Sequence, residues 1–211
     1  METYTLNRAA LAGHLLIAPK SDVRFYLNGV YLDPARGALV STDGSVMFVT
    51  QFPELKRDNA PAVIIPRDAL AAALKLCSKK AVSLEMDVEA ISGAVRLTFR
   101  PDAVSSTSCS AIDGRYPDYM RVIPQTVDGT AGGYDPGLLA RVADALAAFG
   151  SRKSTHNVRL YQNGPSGAAW MMLEPNSGEV APHLAVIMPL RAHDSMPLDK
   201  VTGLVAELVR S

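Results

Sequence analysis

VRFYLNG at residues 23–29 recurs as VRLYQNG at residues 158–164, with five of seven positions identical. Each copy follows a polar loop, and each loop follows a helix-patterned segment of similar character. Self-similarity constrains a fold before any single element does. The chain is therefore read outward from these two copies as a duplicated unit.

Ahead of the first copy, Tyr4–Leu6 reads as a short strand, Asn7 as an N-cap and Arg8–Ile17 as a helix with apolar spacing. The copy itself predicts a strand over Val23–Leu32, with Asn28-Gly29 marking a hairpin turn or a bulge inside it. Asp33–Gly37 is a turn, and strands follow at Ala38–Ser41 and Val46–Gln51, joined by Thr42-Asp43-Gly44-Ser45. The next unit has a strand at Ala62–Ile65, Pro66 at a helix start and a helix over Asp68–Cys77. Its strands are Val82–Met86, Ala94–Phe99 and Ser105–Ile112. Gly114–Pro124 (GRYPDYMRVIP) is extended and works as a linker. Beyond it, Asp135 caps a helix over Leu138–Phe149, which Gly150 ends. Strands at Val158–Tyr161, Ala168–Leu173 and Leu184–Met188 complete a third unit, and a connector leads to a last helix over Leu198–Val209. The pattern is three β-α-β-β-β units plus one final helix, an α+β chain. Two domains are expected, at residues 1–122 and 123–211.

Positive and negative side chains balance to a net charge of zero over 211 residues, so any affinity for nucleic acid must come from charge placement. Cys77 and Cys109, with no CxxC spacing, read as reduced thiols of a cytoplasmic protein. The apolar start of the chain is too short to span a membrane and lacks signal-peptide flanks. No catalytic motif is present: no nucleophile elbow, no P-loop, no dinucleotide fingerprint. His14, His156, His183 and His193 lack metal-ligand spacing, so neither a metal nor another cofactor is expected. Asp43, Asp113 and Asp118 sit in turn sequences.

Four segments in order resemble the bacterial DNA polymerase III beta sliding clamp family: VRFYLNGVYL (23–32), STDGSVMFV (41–49), VIIPRDALAAALKL (63–76) and DGRYPDYMRVIP (113–124). VIMPLR at 186–191 resembles the family's C-terminal signature. The resemblance implies a DNA-clamp fold, with helices lining a channel and antiparallel sheets outside. It implies a processivity factor for DNA replication, not an enzyme, that encircles duplex DNA without reading sequence. The residues that match positions near the channel are Arg24, Tyr26, Arg67 and Lys75, to which the basic pattern adds Lys79 and Lys80. Phosphate contacts of this kind weaken with salt.

The resemblance also implies a pocket for peptides of DNA polymerases and clamp loaders. The matching positions are Leu27, Thr42, Gly44, Pro117, Arg121, Val122, Val186, Met188, Pro189, Leu190 and Arg191. Core packing is the competing reading for Leu27, Val122 and Val186. Where the family has His-Arg after the Asp-Gly turn, this chain has Ser45-Val46. The family's first domain is missing from the pattern, and three units cannot close a ring alone, so a homo-oligomer is expected: four chains of three units would match the family's total of about twelve, or the tail helix at 198–209 fills the place of a missing helix within the chain. The location implied is the cytoplasm, at the nucleoid. The alternative is a clamp-like peptide-binding decoy or regulator that encircles no DNA.

Overall fold

The structure, a computed structural model, describes residues 1–149, 157–174 and 183–190. The helix expected at 198–209, Gly150, His156, Arg191 and His193 lie outside the described residues.

The first unit is β1 (Glu2–Asn7), α1 (Arg8–Ile17), β2 (Gly29–Asp33), β3 (Ala38–Thr42) and β4 (Val46–Gln51). The second is β5 (Val63–Pro66), α2 (Arg67–Leu76), β6 (Ser83–Ile91), β7 (Ala94–Arg100) and β8 (Thr107–Ser110). The third is α3 (Pro136–Ala147), β9 (Asn157–Tyr161), β10 (Ala169–Glu174) and β11 (His183–Ile187). Caps were legible: the Asn7 side chain accepts from Ala10 N, and the Asp135 carboxylate accepts from Gly137 N and Leu138 N.

All pairings are antiparallel, in sheets ordered β1-β6-β7-β8 and β5-β2-β3-β4-β11-β10-β9. Each of the first two units gives its opening strand to the other's sheet, so neither closes a sheet alone. Leu6, Leu11, Val30, Leu70, Met86 and Phe99 fill the core that this exchange creates. The third unit joins through β4 and β11, which run from Val46↔Ile187 to Thr50↔His183. Above that joint α1 meets α3 so closely that a Cβ on Gly13 would lie 2.8 Å from the Ala145 carbonyl oxygen. The fold is α+β, with helices on one side and antiparallel sheets on the other.

Four expectations change. The strand expected over Val23–Leu32 begins only at Gly29, after a 3-10 turn at Phe25–Leu27. The cause is local: Asn28 Oδ1 accepts from Asp22 N at 2.8 Å, Asn28 Nδ2 donates to Asp22 O at 3.0 Å, and Asp22 Oδ1 accepts from Arg24 N. These bonds curl the segment away from a ladder. The two copies of the seven-residue repeat are therefore not equivalent. The first reaches β2 only with Gly29, whereas the second contains most of β9. The units are duplicated, but this match is out of register with the duplication. The strand expected at Ser105–Ile112 shortens to β8, because the Asp102 carboxylate holds Val104 N and Ser105 N in a turn. Among the described residues no strand opens the third unit; residues 129–132 instead bond to the turn after β9.

His14 is buried between Ser41 Oγ (2.9 Å) and Thr50 Oγ1 (3.0 Å), and burial pushes its pKa down to about 3. His183, opposite Thr50 in the joint, is pushed down to about 4 by burial. Both imidazoles stay neutral in the fold, whereas the unfolded chain takes up protons below about 6.5. Their contribution is complete above that pH and is lost as pH falls towards 3, at up to about 1.4 kcal/mol per unit for each histidine. Urea midpoints between pH 7 and 4.5 should fall accordingly, and His14→Gln should flatten the fall. An unchanged pH dependence in His14→Gln would contradict the buried neutral state.

Candidate functional site

The seven-stranded sheet is apolar on both faces. Away from the helices, Leu27, Val40, Met47, Ile64 and Val186 form a second cluster, which the linker covers with Tyr116 and Tyr119. Tyr116 stacks on Tyr31, rings parallel at 4.6 Å, and its hydroxyl donates to Val40 O. Tyr119 donates its hydroxyl to Asp33 Oδ2 at 2.9 Å, and Arg36 pairs with the same carboxylate at 3.0 Å. Burial raises the pKa of both tyrosines, so they stay protonated as donors. These contacts fix where Pro117, Arg121 and Val122 stand on the linker; all three are exposed, and Arg121 pairs with Asp118 at 3.0 Å.

At one side of the linker lies the Thr42–Ser45 turn. Thr42 Oγ1 donates to Val46 O and accepts from Gly44 N, while Asp43 Oδ1 accepts from Ser45 N and Val46 N. Gly44 has φ +94°, which favours glycine, and a Cβ there would lie 2.8 Å from Arg24 Nη1. The turn is tied outward three ways. Arg141 of α3 pairs with the Asp43 carboxylate, Arg24 Nη2 donates to Asp43 O at 2.8 Å, and Met188 N donates to Ser45 O at 2.9 Å.

Of the expected pocket residues, Leu27 and Val186 are buried in the cluster under the linker, Thr42 and Gly44 shape the turn, and Val122, Met188 and Leu190 are exposed. Pro189 is half-buried, Leu190 N donates to Gly133 O, and Arg191 lies outside the described residues. The polar Thr42–Ser45 turn thus stands beside a buried apolar cluster that the linker covers.

A second groove, of about 750 Å³, was not anticipated. Ala38, Val49, Trp170, Met172 and Leu184 line it with the linker's Tyr119, Met120 and Ile123. The available signal was the near-continuous apolar run in β4, β10 and β11, which marks strands covered on both faces.

The expected DNA-contact residues do not form one set. Arg67, opening α2, donates Nε to Ala18 O (3.0 Å) and Nη2 to Leu15 O (3.2 Å), satisfying carbonyls at the end of α1. Arg24 is exposed but forked onto Asp22. Tyr26 packs against the cluster under the linker. Lys75, Lys79 and Lys80 are exposed at and just beyond the end of α2, with no ion pair among the described residues. Among the described residues these three form a cluster at one end of α2, whereas α1 exposes Ala12 and Leu16, with the single Lys20 beyond its end. Among the described residues no group of histidine, cysteine and carboxylate side chains could hold a metal ion, and no helix is long and apolar enough to cross a membrane.

Residues 8–118 match the family model for the central domain of the DNA polymerase III beta subunit. The beta sliding clamp of Caulobacter vibrioides is 31% identical over 140 residues, covering 63% of this chain and 36% of that protein. The beta sliding clamp of Escherichia coli K12 is 31% identical over 143 residues, covering 66% and 37%. The chain thus matches little more than a third of the length of these relatives. The Helicobacter pylori beta clamp bound to a DNA ligase peptide superimposes with a TM-score of 0.69 at 14% identity, covering 89% of this chain and 65% of that one. The Bacillus subtilis sliding clamp gives 0.69 at 13% identity, covering 90% and 64%. At these identities the superpositions speak to fold alone.

Tyr119→Phe removes one hydrogen bond and leaves the buried Asp33 carboxylate with Arg36 only. A loss of about 1–2 kcal/mol is expected in urea unfolding, with faster amide exchange in residues 116–123. Unchanged exchange there would show that the Tyr119 bond does not hold the linker down.

Proposed function

The chain belongs to the DNA polymerase III beta subunit family, and on that premise we propose that it is a sliding-clamp-like processivity factor of DNA replication. It encircles duplex DNA without sequence preference and tethers polymerase and clamp-loader peptides on its outer face. It acts in the cytoplasm, at the nucleoid, as a homo-oligomer, by binding and not by catalysis, with no cofactor. Residues 1–122 form a clamp-like domain and residues 123–211 contribute a second.

The observation that supports it most directly is the site beside the linker. There Met188 N bonds to Ser45 O of the 42–45 turn, and Leu27 and Val186 lie in one buried cluster beneath the linker that carries the exposed Val122. Met188, Pro189, Leu190, Arg191, Pro117 and Arg121 complete the proposed peptide pocket around the Thr42–Gly44 turn. On the opposite side, Lys75, Lys79 and Lys80 are the cations best placed to meet phosphates. Arg67 positions that surface through the α1 cap, whereas Arg24 and Tyr26 lie beside the Thr42–Ser45 turn and the linker, on the side of the peptide pocket.

Duplexes of unrelated sequence should bind equally, with log affinity falling linearly in log salt. Changing Lys75, Lys79 and Lys80 together to Ala should lower that slope by about 2–3. A slope unmoved by the triple change would remove these lysines from the DNA surface. A polymerase- or loader-derived peptide should bind about tenfold more weakly to Met188→Asp, as read by fluorescence anisotropy. Equal affinity would place the peptide elsewhere.

A further inference from the structure

Within the chain, two units meet by one rule. Their last strands, β4 and β11, pair antiparallel, and their helices, α1 and α3, pack above the pair. The second unit ends in the corresponding strand, β8, which closes one edge of its sheet, paired only with β7 among the described residues. Its helix corresponds to α1 residue by residue. Asn7 pairs with Ser83 at the start of β6, and Pro66 pairs with Gly29 at the start of β2, so Arg8 and Arg67 are equivalent. Counting on, Gly13 corresponds to Ala72 and Ile17 to Leu76. Gly13 and Ile17 are the α1 residues committed to the third unit: Gly13 lies against the Ala145 backbone, and Ile17 is 0% exposed in the cluster shared with α3. Ala72 and Leu76 are both exposed, Leu76 by 55%.

The strand carries a matching sign. Sheet edges in monomeric proteins are guarded by charge, proline or bulges. β1 carries Glu2, β5 ends in Pro66 and β9 carries Arg159. β8, TSCS, has no such guard.

We propose that the α2–β8 face is an interface between two copies of this chain, β8 meeting β8 antiparallel across a two-fold axis with the two α2 helices packed above. The occupant is a second copy because the in-chain joint brings equivalent strands together antiparallel, the arrangement a two-fold axis reproduces. The packing closes over Ala72 and Leu76. Lys75 corresponds to the solvent-exposed Leu16 of α1 and stays free of it. This interface goes beyond the clamp reading and holds whether or not the assembly encloses DNA.

The test is solution mass against concentration, by sedimentation equilibrium, with circular dichroism to check folding. The full chain should form an even-numbered oligomer, and Leu76→Asp, Ala72→Arg and Ser108→Lys should each raise the dissociation constant about tenfold or more. All three change exposed side chains, so the fold should survive. Val158→Asp, on the β9 edge, should leave this dimer constant unchanged. A monomer at every concentration overturns the proposal. So does an oligomer that yields to Val158→Asp and ignores the three changes. A stable dimer that fails to hold DNA leaves the interface standing and removes the ring reading.

Discussion

The antiparallel ladder between β4 and β11 is the contact on which the other arrangements depend. It joins β5-β2-β3-β4 to β11-β10-β9 as one seven-stranded sheet, and so creates an outer face wide enough to need a cover. The linker supplies that cover, pinned by Tyr116 on Tyr31 and Tyr119 on Asp33. The ladder also sets Met188 against the Thr42–Ser45 turn and brings Arg141 of α3 to the Asp43 carboxylate. The rim of the proposed peptide pocket therefore has no existence in either unit alone. On the helix side the same ladder forces α1 onto α3 at a distance that only a residue without a Cβ allows at position 13.

Much of this architecture was legible. Helical spacing, the Asn7 and Asp135 caps and the proline-rich linker placed the three helices and most of the strands within a few residues, but not the order of the strands in the sheets. What failed did so through side chains acting on backbone. Asn28 and Asp22 close a loop where VRFYL has the composition of a strand, and Asp102 cuts β8 short. The seven-residue repeat shows the hazard in miniature: VRFYLNG and VRLYQNG match in letters but sit one strand-start apart in the fold. The register-true repeat, Arg8–Ile17 against Arg67–Leu76, is weaker in identity and is fixed by strand pairing.

The expected sites divide in the same way. Arg67 has the type and position of a phosphate contact, yet it caps α1, a role set by the packing of two helices distant in sequence. Leu27 and Val186 are buried, as the competing core reading has them, while Val122 and Met188 stand at the surface. The groove beside Trp170 escaped notice because its walls come from four strands and the linker, and no single segment advertises it. A neutral chain that, among the described residues, exposes a cluster of three lysines only at the end of α2 can hold DNA strongly only if several copies present that end to the duplex.

Enclosure is the property that separates a clamp from a binding module with the same fold. The most direct test is retention of the chain on closed circular DNA against the same DNA linearised, in salt high enough to suppress simple phosphate binding and with a clamp loader present. Slow loss from the circle and rapid loss from the linear form is the predicted result. Equal loss from both, in a preparation that still binds polymerase or loader peptide, would contradict encirclement and leave a peptide-binding regulator in its place.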